Sequence, residues 1–364
     1  MLKEKILAQM EFLSPKAPPL LGVDISSSAI KIVELAPVGK DGYRLERYVI
    51  ESLPKDTVVE GNIANLEAAG ESLKRAWRRL GTRVKQVAMA LPASAVITKK
   101  VIIPSTSREE DMEVQIESEA NQYLPFALDE VNLDFQVLGQ APTGPEEVEV
   151  LIAASRKEKV EDRVAVAESA GLKAIIMDVE SYAAQSAIEL VENQLPGKPS
   201  ERVIAAVDIG ASTMRIAMYK DGQAVYVREQ QVGGNQLNQE IARHFNIDAE
   251  EAEKEKKTGS LPEGYVAEVL QPFMENLSLE IARALQFFFT STQYNKVDHI
   301  LLAGGCAMLP GLEDIVSART QVNAIVANPF SRMQVSSRVS QRLLTQDAPA
   351  LLVACGLAMR RFDA

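Results

Sequence analysis

Apolar runs along the chain follow the same order twice, about half a chain apart. They occupy residues 20–23, 30–35 and 43–50 in the first half, and residues 203–207, 216–219 and 223–227 in the second half. Short apolar runs of this kind predict strands. An Asp-Gly pair separates the second run from the third in both halves, at 41–42 and 221–222, and predicts a hairpin turn. The chain is therefore expected to contain two related units of three strands.

The segment between the first two strands carries the same pattern in both halves. It consists of Asp-Ile, two small residues, Ser, two further residues and a cation, as in Asp24-Ile25-Ser26-Ser27-Ser28-Ala29-Ile30-Lys31 and Asp208-Ile209-Gly210-Ala211-Ser212-Thr213-Met214-Arg215. Small, hydroxyl-rich turns let the backbone approach an anion and point N–H and O–H groups at phosphate. One copy alone could be ordinary turn chemistry, in which Asp, Ser and Gly are common. Two copies with matching hairpins predict duplicated domains whose facing turns clamp a phosphate.

The rest of the first half contains a segment of different organisation. A helix over 66–80 and a strand over 84–91, ended by Pro92, complete the first unit. Residues 93–173 then give a strand (96–103), a helix (108–123), two strands (133–138 and 148–155), a helix (157–170) and a last strand. This βαββαβ order is typical of a compact split βαβ unit, and we interpret it as an inserted subdomain. A helix over 178–191 resumes the first unit.

The second half adds glycine turns to the repeated strands. Gly233-Gly234-Asn235 leads into a helix over 236–245, and further helices are predicted over 249–257, 265–294, 312–320 and 348–361. A strand over 297–303 runs into Gly304-Gly305, where glycine lets a flat ring or a sugar lie on the backbone. The alternative is a tight strand-to-helix turn without a ligand. We divide the chain into residues 1–19, a first lobe (20–92 and 174–200), the insert (93–173) and a second lobe (201–364).

Composition excludes several classes of protein. The 364 residues are 46% hydrophobic and 24% charged, as in ordinary globular proteins. The net charge of −11 argues against a nucleic-acid binder, which normally presents a basic face. Two cysteines suit a reducing cytosol, and no apolar run reaches the roughly 18 residues of a membrane span. A short amphipathic helix over 2–13 could contact a membrane or a partner, although such helices more often pack on their own domain.

These features together resemble a known superfamily. Two Asp-containing turns and a late Gly-Gly turn are similar to those of the actin, Hsp70 and sugar-kinase superfamily of ATP-binding proteins. The insert resembles that of the FtsA branch, and within this branch the chain is most similar to the PilM family of type IV pilus assembly. The residues that carry the resemblance are 22–35, 250–253 with Lys256, 301–305 and 354–360. The resemblance implies an α/β, actin-like (ribonuclease H-like) duplicated ATPase fold of two lobes with an inserted βαββαβ subdomain.

The same resemblance implies a site for ATP and Mg²⁺ between the lobes. One side of the phosphates would be lined by Asp24, Ser26, Ser27, Ser28 and Lys31, and the other by Asp208, Gly210, Ser212 and Thr213. Asp208 would also hold Mg²⁺ through water. The nucleotide would further be approached by Gly233, Gly234 and Asn235, by Glu253 and Lys256 at the ribose and adenine, and by Gly304, Gly305 and Met308 as an adenosine shelf. Glu253 and Lys256 could instead belong to a solvated helix face.

The resemblance favours a nucleotide-dependent assembly scaffold over a small-molecule kinase of the same superfamily. A kinase needs a general-base carboxylate facing the γ-phosphate, and no motif supplies one. Ser26 also replaces the usual glycine, so we expect slow hydrolysis or none.

Proteins of the PilM family bind the N-terminal cytoplasmic segment of PilN, and we expect that peptide in a groove between the insert and the first lobe. Other inner-membrane pilus components are expected as further partners, and nucleic acid is not. The chain ends at Ala364, so neither a chaperone's peptide-binding domain nor the membrane tail of FtsA is expected. The protein would therefore be cytoplasmic and reach the inner membrane through PilN.

Overall fold

Three of the sheets in the described structure define two lobes and a smaller inserted unit. The computed structural model describes residues 18–39, 42–105, 108–192, 194–196, 198 and 201–363. The amphipathic helix predicted over 2–13, and residue 41 of the first predicted Asp-Gly turn, lie outside the described residues.

The first lobe is built on a six-stranded sheet. From edge to edge its strands are β10 (Lys173–Val179), β6 (Gln86–Leu91), β1 (Leu21–Ile25), β2 (Ala29–Val38), β3 (Gly42–Ser52) and β16 (Gln334–Val335). β1, β2 and β3 are antiparallel, as the hairpin signals predict, and β6 and β10 continue the sheet in parallel. Every residue of β1 is buried, because this central strand is covered on both faces. A two-stranded ribbon, β4 (Val58–Val59) with β5 (Asn62–Ile63), follows β3.

Helix α1 (Leu66–Leu80) covers one face of this sheet. It begins where the side chain of Asn65 accepts a hydrogen bond from the N–H of Ala68, and it ends at Gly81 in the left-handed conformation. Its apolar side chains pack against alternate residues of β1 and β2, which gives the first lobe a core on that face. The bounds match the helix predicted over 66–80.

The inserted unit has its own sheet and its own core. Its three strands lie in the order β7 (Ile97–Pro104), β9 (Glu147–Arg156) and β8 (Val131–Gln140), with helix α2 (Glu109–Tyr123) packed against them through Ile116. The predicted βαββαβ unit is wrong in its last two elements. Helix α3 (Lys157–Ser169) packs on α1, and β10 pairs with β6 in the first-lobe sheet. The separate unit is therefore βαββ. Helix α3 has its packing partner, and β10 its parallel partner strand, in the first lobe.

The second lobe repeats the first three strands. Its five-stranded sheet has the order β13 (Gln223–Gln230), β12 (Met214–Lys220), β11 (Val203–Ile209), β14 (His299–Ala303) and β15 (Ala324–Val326). The helices are α5 (Gly234–Phe245), α6 (Ala249–Thr258), α7 (Gln271–Ser291), which a π-helical turn (Val266–Leu270) precedes, and α8 (Leu312–Thr320). Every helix in the described part of the chain is too short or too polar to cross a bilayer.

The two lobes share a core that the C-terminal residues complete. Helix α4 (Glu180–Glu192) leads from the first lobe to the second, and the chain later returns through β16, α9 (Gln341–Asp347) and α10 (Leu352–Met359). The helix predicted over 348–361 is thus split, with 3₁₀ turns before and after α10. Buried residues of β2, α4, β11 and α10 form one cluster.

Helix α10 lies very close to β1 and α4. A Cβ added at Gly22 would overlap the backbone of Ala354 and Ala358, and one added at Gly356 would overlap the carbonyl of Ala183. These two glycines therefore permit the first strand and the last helix of the chain to pack backbone against backbone.

Candidate functional site

The two Asp-Ile turns have the same backbone geometry. In each lobe the Asp is the penultimate residue of the first strand, and it is paired in register with the cation of the second strand, Asp24 with Lys31 and Asp208 with Arg215. The turn closes by a hydrogen bond from the second residue after Asp to the fifth. The N–H of Ser26 donates to the carbonyl of Ala29 at 3.0 Å, and that of Gly210 to Thr213 at 2.9 Å. The sequence repeat is therefore a structural repeat.

The two turns face each other across the cleft between the lobes. The hydroxyl of Ser212 lies 3.3 Å from that of Ser27, although the residues are 185 positions apart in the chain. The side-chain amide of Asn235 donates to Ser212 at 3.2 Å. Phosphate-sized anions are bound by such convergent hydroxyl and N–H groups. Ser28 is more exposed, and its carbonyl accepts the N–H of Leu53.

The start of α5 is packed tightly against the second turn. The N–H of Gly234 donates to Gly210 at 3.0 Å, and that of Asn235 to Ala211 at 2.8 Å. A Cβ on Gly233 would come within 2.6 Å of the Gly210 carbonyl oxygen, so only glycine permits this approach. The N-terminus of α5 therefore points into the cleft, where its dipole favours an anion.

The charged side chains of the cleft lie close enough to change one another's pKa. Lys31 Nζ lies 2.9 Å from Asp24 Oδ2, and Asp24 is only 5% exposed. Burial alone would lower the pKa of Lys31, but Asp24 raises it overall, with smaller contributions from Asp208 and Glu180. Burial raises the pKa of Asp208, and the neighbouring Asp24 raises it further, against the opposing effect of Lys31 and Arg215. A bound cation would relieve this repulsion between the two carboxylates.

The donor set fits Mg²⁺ that arrives with a nucleotide. Within the described residues, no group of three or more His, Cys, Asp and Glu side chains could hold a metal ion by itself. Mg²⁺ seldom uses such a group, because it is usually held by one or two carboxylates together with substrate phosphates and water. Asp24 and Asp208 supply two carboxylates that interact across the cleft.

Glu180 is a cleft residue that the sequence analysis missed. It is the first residue of α4 and directly follows β10. Burial, together with Asp24, raises the pKa of Glu180 to about 7, although Arg163, Arg215 and Lys31 oppose the shift. The cleft therefore contains a carboxylate that can change its protonation state near neutral pH. An acidic residue at the carboxyl end of a parallel strand could have indicated this position. The end of the strand was not recognised, because the helix was predicted to begin at residue 178.

A buried arginine lies behind these carboxylates. Arg163 of α3 is 2% exposed, and it donates through Nε to the carbonyl of Ala90 at 2.7 Å and through Nη2 to that of Gly61 at 3.0 Å. Burial lowers the pKa of Arg163, and the charges of Glu180 and Asp24 oppose that effect. Its guanidinium joins α3, β6 and the β4–β5 turn beneath the first Asp-Ile turn.

Glu253 and Lys256 lie on a buried amide rather than on a solvated helix face. Asn238 of α5 is 6% exposed, donates to Glu253, and accepts a hydrogen bond from Lys256 at 2.5 Å. Burial raises the pKa of Glu253, but Lys257 and Lys256 lower it overall. This network fixes α6 to α5 one helical turn beyond Asn235. The polar groups predicted for the ribose are therefore near the cleft, and their role there remains a prediction.

The Gly304-Gly305 turn closes the cleft on the second lobe. Gly304 is in the left-handed conformation (φ 84°), and an added Cβ would overlap the Asp208 carboxylate. Gly305 differs, because its Cβ would meet no protein atom within 4 Å. Packing within the protein thus requires glycine at the first position only, and the second leaves an open surface. Met308 is exposed beside it, and burial raises the pKa of the Cys306 thiol to about 11.

Comparison with protein families decides between the candidates. A family model described as type IV pilus assembly protein PilM matches residues 22–362. This chain belongs to the PilM family. The match includes both Asp-Ile turns, the insert and helix α10, and it confirms the resemblance inferred from the sequence. It gives no support to a small-molecule kinase.

Solved structures agree with the PilM family and its actin-like fold. The structure titled PilM-PilN type IV pilus biogenesis complex is 29% identical, covers 96% of this chain and 100% of that chain, and superposes with a TM-score of 0.78. MreB5 of Spiroplasma citri bound to ADP covers the same shares at 14% identity and a TM-score of 0.51, which shows the fold. The predicted actin-like α/β fold is therefore confirmed.

A curated relative matches a smaller part of the chain. Ethanolamine utilization protein EutJ from Salmonella typhimurium is 29% identical over 113 residues, which is 31% of this chain and 37% of that protein. This chain therefore spans little more than a third of the length of that relative.

Proposed function

We propose that this PilM-family chain is an actin-like scaffold of the type IV pilus inner-membrane assembly platform. In this role it binds ATP with Mg²⁺ between its lobes and the N-terminal cytoplasmic segment of PilN beside its insert. The observation that carries the proposal is the match to the PilM family over residues 22–362, together with the likeness to a PilM-PilN complex over all of that chain.

The facing turns support the nucleotide half of the proposal. The hydroxyls of Ser27 and Ser212, one from each lobe, lie 3.3 Å apart, and the N-terminus of α5 points between the turns. The carboxylates of Asp24 and Asp208 would hold Mg²⁺. The fold is shared with MreB5, whose structure contains ADP. The proposed contacts are those of the seventeen residues named from the sequence, with Glu180 added at the phosphate end.

Replacement of the metal-holding carboxylate tests nucleotide binding. We expect Asp208→Ala to abolish detectable binding of Mg-ATP in calorimetry, because this carboxylate would hold, through water, the Mg²⁺ that accompanies the phosphates. Asp314→Ala, which removes an exposed carboxylate from the first turn of α8, is the matched control and should leave affinity unchanged. ATP affinity that is equal in the two variants would refute the site.

Slow hydrolysis remains our expectation, although one of its two reasons no longer holds. The sequence offered no general base, whereas Glu180 places a carboxylate near Asp24 and Lys31. Ser26 still replaces glycine, and its side chain and its backbone N–H are both bonded to the carbonyl of Ala29.

The insert supports the partner half of the proposal. Its edge strands and its helix leave apolar side chains in solvent, among them Ile102 on β7, Val114 on α2, and Val137 and Leu138 on β8. A peptide can extend a free sheet edge by main-chain pairing while apolar pockets take alternate side chains. We therefore place the PilN segment between the insert and the first lobe, as the sequence analysis expected.

Matched aspartate substitutions test this placement. Ile102→Asp and Val137→Asp change the edges of the insert, whereas Val227→Asp changes the edge strand of the second lobe, where that valine is 48% exposed. With a synthetic PilN N-terminal peptide, at least one insert variant should lose binding about tenfold or more in calorimetry, since apolar anchors dominate such interfaces. Equal affinity of all three variants would contradict the docking site.

The remaining parts of the proposal follow from PilN. A protein held by the cytoplasmic segment of an inner-membrane protein is cytoplasmic and peripheral at that membrane, beside other pilus components. Nucleic acid has no place in this function, in keeping with the net charge of −11.

A further inference from the structure

Positive charge is concentrated in one stretch of this acidic chain. Residues 72–108 contain nine Lys and Arg and none of the 50 Asp and Glu, in a protein of net charge −11. Neither the Asp-Ile turns nor the insert explains this distribution. A strong local asymmetry of charge indicates an interaction surface.

The structure gathers six of these cations on one face of the first lobe. They are Lys74, Arg75, Arg78 and Arg79 of α1, and Arg83 and Lys85 of the connection that follows, and we call them the basic face. On the helix the two pairs lie four residues apart and so form adjacent rows. The opposite side of α1 carries Leu73, Ala76 and Leu80, which are buried in the lobe core.

A tryptophan holds the connection against the helix. Trp77 donates through Nε1 to the carbonyl of Val84 at 2.9 Å, and Gly81 turns the chain back at the end of α1. Arg83 and Lys85, which flank Val84 and are both exposed, are therefore fixed beside the helix. Trp77 is the single tryptophan of the chain.

The basic face carries more positive charge than its neighbours neutralise. Arg75 and Arg79 share the carboxylate of Glu51, at 3.1 and 2.8 Å, and Lys74 lies 3.3 Å from Glu71.

Three cations of the face have a different environment. Among the described residues, Arg78, Arg83 and Lys85 have no hydrogen-bonded or ion-pair partner for their side chains. The helix dipole accounts for basic residues in the last turn of α1, but not for Arg83 and Lys85 beyond it.

We propose that the basic face lies against the anionic headgroups of the membrane. Clusters of four to eight Lys and Arg bind anionic lipid surfaces, and each cation contributes to the binding energy without needing a pocket. A protein partner would need apolar anchors, and the apolar residues Leu73, Ala76 and Leu80 of α1 are buried in the core. The inference rests on the proposed location at the inner membrane, and it adds a direct contact to the tether through PilN.

Vesicle binding by the purified full-length protein, without PilN, tests the proposal. Vesicles of phosphatidylethanolamine and phosphatidylglycerol should sediment the protein at low salt, and vesicles of phosphatidylcholine should not. Binding should be lost near 1 M salt, where the Debye length is about 3 Å. The triple variant Arg78→Gln, Arg83→Gln, Lys85→Gln should bind about a hundredfold more weakly, at about fivefold for each cation.

A matched variant separates this face from net charge. Arg243→Gln, Arg319→Gln and Lys254→Gln remove three exposed cations of the second lobe and should leave vesicle binding within about twofold of the unchanged protein. Emission of Trp77 should shift on addition of anionic vesicles to the unchanged protein, because the ring adjoins the basic face.

Two results would overturn the proposal. One is equal vesicle binding by the two triple variants, and the other is failure of the unchanged protein to prefer anionic over neutral vesicles. Loss of an acidic protein partner in the first variant, without any vesicle binding, would assign the face to that partner instead. Calorimetry of the unchanged protein with the PilN peptide distinguishes the failures, because absence of peptide binding with retained vesicle binding would refute only the proposed function.

Discussion

Replacement of Glu180 by glutamine should stabilise the nucleotide-free protein by an amount that grows as the pH rises from about 4.5 to about 7. The folded-state pKa of Glu180 is about 7, against an ordinary value of 4.5. Between these values the folded protein binds more protons than the unfolded chain, so the free energy of unfolding falls as pH rises. The contribution of Glu180 to the free energy of unfolding is fully present below pH 4.5 and is lost above about pH 7.

The size of the effect follows from the two pKa values. Their separation corresponds to roughly 3 kcal/mol at pH 8, since one pKa unit is about 1.4 kcal/mol. Attraction by Arg163, Arg215 and Lys31 is already included, because the shift is the net result of burial, Asp24 and those cations. For a chain of 364 residues this energy corresponds to about 4 °C in melting temperature.

Thermal unfolding of the unchanged protein and of Glu180→Gln, at pH 5 and at pH 8, measures this effect. The variant should melt within about 1 °C of the unchanged protein at pH 5 and up to about 4 °C higher at pH 8. A gain of the same size at both pH values, or a loss at pH 8, would refute the reasoning. A gain in stability would show that folding does not require the ionised Glu180. Residues that reduce stability in this way are typical of functional sites.

Two glycines give further predictions. Gly356→Ala should destabilise the protein by at least about 3 kcal/mol in denaturant unfolding, because the new methyl group overlaps the Ala183 carbonyl. Gly144→Ala is the control: its methyl group meets no atom within 4 Å, so stability should change by less than about 0.5 kcal/mol. Gly305→Ala should leave stability unchanged and weaken ATP binding, since only a ligand approaches that position. Unaltered ATP affinity in a folded Gly305→Ala protein would show that the adenosine shelf lies elsewhere.

Local patterns along the sequence were enough to predict the duplicated strands and the two Asp-Ile turns. Strand, turn and cation follow one another within eight residues, so their geometry depends on near neighbours, and the bounds predicted for α1 match the observed helix. The actin-like fold followed from resemblance and is confirmed by structures of that fold.

Long-range packing decided what the sequence could not predict. Whether β10 joins the insert or the lobe depends on its pairing with β6, more than 80 residues earlier. Glu180 enters the cleft for the same reason, because its position is set by the end of β10. The division at 93–173 therefore included helix α3, which belongs structurally to the first lobe, and Arg163 of that helix was overlooked.

The close packing of β1 against α10 sets an order of events during synthesis. The contact at Gly22 waits for Ala354 and Ala358, which leave the ribosome more than 300 residues later. At about 5–20 residues per second, the central strand of the first lobe remains uncovered on that face for on the order of 20–60 s. The second lobe, whose strands and helices are contiguous in the chain up to β15, can form during that interval. We therefore expect the lobe made first to become native last.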